Sequence, residues 1–117
     1  MITRRRWLLL FFLLRYASVA AAQVPANFEP AGNMTTARTG HTATLLLNGK
    51  VLITGGSKER PASAELFDPV TNTFTRTGNM TTGRFGNSAT LLADGRVLVV
   101  GGYYFGYLDS AEIYTIR

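Results

Sequence analysis

The chain repeats itself. "MTTARTGHTATLLLNGKVLITGG", which starts at Met34, returns as "MTTGRFGNSATLLADGRVLVVGG" at Met80, 46 residues on and without a gap. Downstream, "SAELFDP" from Ser63 is answered by "SAEIYTI" from Ser110, an offset of 47. Upstream, "NFEPAGNM" from Asn27 is answered by "TFTRTGNM" from Thr73, again 46 apart. No other feature constrains the fold as strongly. A unit of this length cannot bury its apolar faces alone, so repeated units stack on one another and share a core.

Each unit reads as strands. "HTATLLL" is rich in threonine and apolar residues and runs into Asn48-Gly49, with Asp94-Gly95 in the second copy. Both dipeptides suit a two-residue hairpin turn with positive φ at each central residue. "KVLITGG" is the return strand, and its unbroken apolar run predicts burial on both faces. A loop leads to a third strand, "SAELFDP", where Asp68-Pro69 starts a turn. "NTFTRTG" is a polar fourth strand, as an outer strand would be. No capped segment with a 3.6-residue apolar period occurs in the repeats, so no helix is expected.

Four antiparallel strands per unit, the inner ones apolar on both sides, describe a β-propeller blade. The order Arg38, Gly40-His41, Gly49-Lys50-Val51-Leu52, Gly55-Gly56, Ala64-Glu65, Phe67-Asp68-Pro69, Phe74 resembles the kelch repeat. It looks most like the bacterial exported version, with "GKVLxxGG" and "SAELYDP" signatures, and like the central domain of galactose oxidase. The resemblance covers about residues 27–117. Phe28 and Phe74 stand where the family usually has tryptophan, and Asn87 replaces the histidine in the second copy. The expected fold is all-β: one complete kelch-type blade (strands near 41–47, 50–55, 63–68 and 72–76) and three strands of a second. The expected boundaries are a signal peptide over 1–22, an N-terminal outer strand and linker over 23–33, and repeats over 34–79 and 80–117, the last lacking its fourth strand.

The first 22 residues hold Arg4, Arg5 and Arg6, an apolar run from Trp7 to Leu14, and Ala20-Ala21-Ala22 before Gln23. That is the layout of a secretory signal peptide, which places the protein in the periplasm or outside the cell. An uncleaved signal-anchor and a twin-arginine signal are the alternatives, and the membrane is a partner only through such a segment. Without residues 1–22 the chain has eight basic against seven acidic residues, so its basicity resides in the export signal and nucleic acid is not an expected partner. There is no cysteine, so oxidation supplies no staple.

Propellers close at about 4–8 blades. Three expectations follow for so few: a segment of a longer propeller, a ring built from several two-blade copies (as in small bacterial lectins that resemble this layout), or a minimal sheet that folds alone. In a closed propeller of this kind, "NFEPAG" would complete the final blade.

Catalytic chemistry is not expected. Galactose oxidase resemblance implies a copper site of two histidines, a tyrosine and a cysteine-modified tyrosine, whereas this chain has one histidine and no cysteine. No metal or other cofactor is expected. His41 reads as a hydrogen-bonding residue of the blade hub, and no Ser-His-Asp set or carboxylate pair stands out. Arg38/Arg84 and Glu65/Glu112 recur and read as internal partners, since a half-buried charge needs one; ligand contact is the other reading. The glycines Gly55, Gly56, Gly101 and Gly102 read as structural, allowing a bulged backbone where strands crowd. Sequons at Asn33 and Asn79 recur with the period, which explains them without glycosylation.

The repeats diverge most in the loop after the double glycine, where recognition usually resides. The first copy, Ser57–Ser63, carries Lys58 and Arg60. The second, Tyr103–Ser110, carries Tyr103, Tyr104, Phe105 and Tyr107. These six are the candidate ligand contacts, for a carbohydrate or a protein partner. The resemblance implies that this loop emerges on the ligand face beside the central channel. The competing reading packs the rings against a neighbouring blade. The function expected is thus a non-enzymatic, exported binding module; a lectin-like ring and a fragment of a galactose-oxidase-like enzyme are the alternatives.

Overall fold

The structure, a computed structural model, describes residues 24–116; the signal-peptide reading concerns residues outside that range. Seven strands follow in order: β1 (Thr42–Leu45), β2 (Val51–Thr54), β3 (Ala64–Asp68), β4 (Thr73–Arg76), β5 (Ser88–Leu91), β6 (Val97–Val100) and β7 (Ala111–Tyr114). They form a four-stranded sheet in the order β1-β2-β3-β4 and a three-stranded sheet in the order β5-β6-β7, antiparallel throughout. No helix occurs among the described residues. This is the all-β architecture of one kelch-type blade and three strands of another. Residues 24–33, expected to hold an outer strand, form none. An edge strand exists through its ladder of hydrogen bonds, and this segment makes no such ladder. Phe28 within it is fully exposed.

The β1–β2 turn departs from the two-residue hairpin its sequence suggested. Leu46 N–H donates to Lys50 C=O at 2.8 Å and Gly49 N–H to Leu46 C=O at 3.0 Å. Three residues therefore form the loop, and Gly49 alone among them has positive φ, at 85°. This is a β-turn followed by a bulge glycine. Asn48 serves through its side chain instead: Oδ1 accepts from Lys50 N–H at 3.0 Å. The β5–β6 turn repeats the arrangement, with Gly95 at φ 91° and Asp94 accepting from Arg96 N–H.

The two sheets pack face to face, and register assigns the faces, because residues directly opposite in a ladder share one. Thr44, Leu52 and Leu66 form one row of the first sheet, and Leu45, Val51, Phe67 and Phe74 form a row on its other face. In the second sheet, Leu91, Val97 and Tyr114 share one face and Thr90, Leu98 and Ile113 the other. The core unites Leu46, Leu52 and Ala64 with Val97 and Val99, and Leu66, Met80, Ala89, Leu91 and Tyr114 pack around it. The Tyr114 hydroxyl and the Thr77 hydroxyl close the seam at 3.0 Å.

Equivalent strands bury opposite faces. In β1, Thr42 and Thr44 are half-buried while Ala43 and Leu45 are exposed; in β5, the order inverts, with Ala89 and Leu91 half-buried and Ser88 and Thr90 exposed. The expectation of burial on both faces holds for β2, where Leu52 and Ile53 are both buried. It fails in part for β6. Val97 and Val99 are buried, but Leu98 and Val100, on the side away from the first sheet, are only half-buried.

Candidate functional site

The recurring arginine and glutamate pair with each other in each blade. Arg38 holds Glu65 at 2.8 Å with both side chains sealed from solvent, and also donates to Gly55 C=O and Ser63 C=O. Arg84 is fully buried, donates to Gly101 C=O and Ser110 C=O, and holds Glu112 at 3.1 Å. Burial pushes the Glu65 carboxyl up, but the Thr35 N–H bond at 2.6 Å and the Arg38 guanidinium outweigh it and hold the group below its ordinary value. Glu112 follows the same pattern: burial raises it, while Thr81 N–H and Arg84 bring it down. Every donor these carboxylates meet belongs to their own blade. They are braces for the loops that enter and leave the strands.

Gly55, Gly56, Gly101 and Gly102 all have positive φ, between 66° and 97°. At Gly56 the reason is visible. Its N–H donates to Arg84 C=O at 2.8 Å, where the second repeat crosses the end of the first sheet, and a Cβ there would strike the Thr39 carbonyl. Gly102 is equivalent, with the Phe85 carbonyl 2.7 Å from where its Cβ would stand.

His41 departs from expectation. Its ring is exposed and makes no hydrogen bond among the described residues. Its counterpart Asn87 is buried and donates from Nδ2 to the Thr42 and Thr54 hydroxyls of the first sheet, each at 3.3 Å. Asn87 fills the hub role by reaching into the sheet before it, and among the described residues no sheet lies on the corresponding side of His41.

The candidate loop folds as a miniature hairpin. Tyr103 bridges Phe85 on one side and Tyr107 on the other. Tyr104 N–H donates to Gly106 C=O at 2.9 Å, and Leu108 N–H to Gly102 C=O, which closes the tip. Phe105 sits at its apex with φ 54°, a conformation that costs a bulky residue on the order of 1–3 kcal/mol. Its ring points outward: Phe105 is 89% exposed. Tyr104 stacks on Phe85 with centroids 6.5 Å apart and meets Phe105 edge-on at 4.6 Å.

A cleft of about 430 Å³ results, lined by Lys58, Phe85, Tyr103, Tyr104 and Phe105. Four of the six expected contacts meet here. Arg60 instead lines an adjoining cleft of about 400 Å³ with Arg76, on the other side of Tyr104. Tyr107 packs edge-on against Tyr103 at 5.7 Å and is otherwise in solvent, outside both clefts. Phe85 escaped the sequence reading. The available signal was its substitution for Thr39 in an otherwise close copy, in the segment before β5 that bridges to the loop.

The copper centre of galactose oxidase does not fit this chain. Its one histidine stands apart, there is no cysteine, and no group of three metal-ligating side chains occurs among the described residues. The feature that stands out is the aromatic loop between β6 and β7, with Phe105 at positive φ on its apex.

Sheets of this order, braced by Arg–Glu pairs and turned by double glycines, define blades of the β-propeller class. A family model described as Kelch motif matches residues 38–81, which covers the end of the first repeat's entry loop, the whole first sheet and the start of the second repeat. The match supports the kelch-repeat family for this chain, and kelch repeats are usually protein-interaction modules. No curated relative matches the chain.

Proposed function

We propose that the chain is an exported, non-enzymatic binding module that takes its partner in the cleft between Lys58, Phe85, Tyr103, Tyr104 and Phe105. The observation that carries this reading is the strained apex at Phe105. A loop serving only the fold has no reason to hold a bulky residue at positive φ with its ring in water, whereas a recognition loop gains an anchor. The cleft's volume lies in the range of specific ligand sites, and its walls are aromatic with one cation. The interaction role usual for kelch repeats points to an exposed segment of a protein partner. Export rests on the layout of residues 1–22 alone.

Carbohydrate is the second reading, favoured by open aromatic rings on which a sugar can stack. A photo-cross-linking side chain at Phe105, used in cells that make the protein, together with a glycan array probed with the purified chain, separates the two. A discrete protein adduct at position 105 that Tyr104→Ala removes supports the protein reading. Saturable glycan binding that Tyr104→Ala weakens tenfold or more supports the sugar reading. Binding of either kind that survives both Tyr104→Ala and Lys58→Ala overturns the assignment of the cleft.

A further inference from the structure

The two outer faces of the molecule carry the repeat equivalents of the residues on the two faces already packed together. The second sheet presents Ala89, Leu91, Val97, Val99 and Tyr114 to the first. Their repeat equivalents Ala43, Leu45, Val51, Ile53 and Phe67 share the other face of the first sheet, where Ile53 is already covered by its own blade and Ala43 and Leu45 stand exposed. The first sheet presents Leu46, Leu52, Ala64 and Leu66 to the second. Their equivalents Leu92, Leu98, Ala111 and Ile113 form the free face of the second. Leu45 is 64% exposed on one free face and Ile113 48% on the other.

The polar groups at the hub follow the same rule. Gly56 N–H donates to Arg84 C=O across the packed seam, and its equivalent, Gly102 N–H, makes no hydrogen bond among the described residues. Gly86 N–H donates to Gly40 C=O, and its equivalent, Gly40 N–H, is likewise unpaired among them. Asn87 reaches the Thr42 hydroxyl; its equivalent, His41, faces solvent, while Ser88 keeps the hydroxyl of Thr42's position exposed on the opposite side.

We infer that the chain associates head-to-tail with further copies of itself, the free face of the first sheet in one copy covering the free face of the second sheet in the next. The new seam repeats the one inside the molecule. Gly102 N–H meets the Arg38 carbonyl of the next copy, Gly40 N–H of that copy meets Gly86 C=O, and the His41 ring meets Ser88. The two faces differ, so each contact is heterologous, and contacts of this kind repeat until they close into a ring. With two blades per copy and closure at about 4–8 blades, such a ring holds about two to four copies.

The test uses the full chain and two surface variants in sedimentation equilibrium. Leu45→Arg blocks the first free face and Ile113→Arg the second. The unaltered chain is expected at a multiple of its 12.8 kDa mass. Each variant alone is expected to be monomeric, because each lacks one of the two faces that every contact needs. An equimolar mixture is expected at twice the monomer mass and no higher, since each variant keeps the face its counterpart lost. A monomeric parent chain, a variant that still self-associates, or a mixture that stays monomeric overturns the inference. If circular dichroism shows that either variant fails to fold, Ala43→Arg and Thr90→Arg, at exposed positions on the same two faces, replace it.

Discussion

Asn87 donates its amide to the Thr54 hydroxyl at 3.3 Å, from the second sheet into the first, while His41, 46 residues earlier, holds the same place in its own repeat with its ring in water. One position thus has two energies, set by whether a blade precedes it. Asn87→Ala is expected to destabilise the fold by about 1 kcal/mol, because two long hydrogen bonds are lost but an unpartnered buried Oδ1 goes with them. His41→Ala in dilute solution is expected to stay within about 0.5 kcal/mol of the parent, as surface substitutions do. Urea midpoints of the two variants measure the difference; equal losses would contradict it.

Leu52 and Leu98 make the same comparison in apolar terms. They are repeat equivalents in the second strand of each sheet, yet Leu52 has no exposed surface and Leu98 is only half-buried. Leu52→Ala leaves a cavity between two sheets and is expected to cost about 3 kcal/mol. Leu98→Ala opens onto a free face, and the loss of its partial burial is expected to cost about 1 kcal/mol. Denaturation at low protein concentration is the right measurement, since head-to-tail association would bury Leu98 and draw the two values together.

The strand order was legible because the repeat displayed three of a blade's four strands twice, with Gly-Gly marking the end of the second strand in both copies. The burial of each strand was not. Val97 to Val100 and Val51 to Thr54 read alike, and only the stacking of one sheet on the other decides which side of each stays wet. The hairpin turn was misread for a local reason: Asn-Gly fits both a two-residue turn and a turn with a bulge glycine, and the Asn48 side chain selects the second by accepting from Lys50 N–H. In the cleft, Tyr103, Tyr104 and Phe105 were legible as a divergent aromatic loop. Phe85 was not, because it belongs to a conserved-looking copy and reaches the loop only through the bridge to Tyr103.

Acid should loosen the entry loops before it affects the apolar core. Glu65 and Glu112 both lie below their ordinary value of 4.5 in the folded chain. A carboxylate lowered by folding contributes its stability above the unfolded-state value, and that contribution disappears as pH falls from about there through the folded value. Stability from these two groups is therefore complete at pH 7 and declines progressively below about pH 4.5. Glu65→Gln, which keeps the shape but cannot ionise, is expected to melt lower than the parent at pH 7 and to lose less than the parent on acidification to pH 3. Melting curves at pH 7, 5 and 3 for both proteins check this; parallel acid losses would place the sensitivity elsewhere.

Gly56 and Gly78 separate the two effects a glycine can have. Gly78 has ordinary φ and open space where a Cβ would stand, so Gly78→Ala is expected to be neutral or to stabilise by up to about 1 kcal/mol by restricting the unfolded chain. Gly56 has φ 76°, and a Cβ would collide with the Thr39 carbonyl and stand 2.8 Å from the His41 nitrogen. Neither is the tip of a flexible side chain, so the backbone itself must shift, and the Gly56 N–H bond to Arg84 C=O shifts with it. Gly56→Ala is expected to cost about 3 kcal/mol or more, combining a disfavoured backbone with steric overlap. Because that bond joins the two repeats, hydrogen exchange in Gly56→Ala should accelerate at the amides of position 56 and Gly86 together, while the ladder of β3 and β4 stays protected. Uniform acceleration across the first sheet would mean that the glycine supports its own blade alone, with no part in holding the second against it.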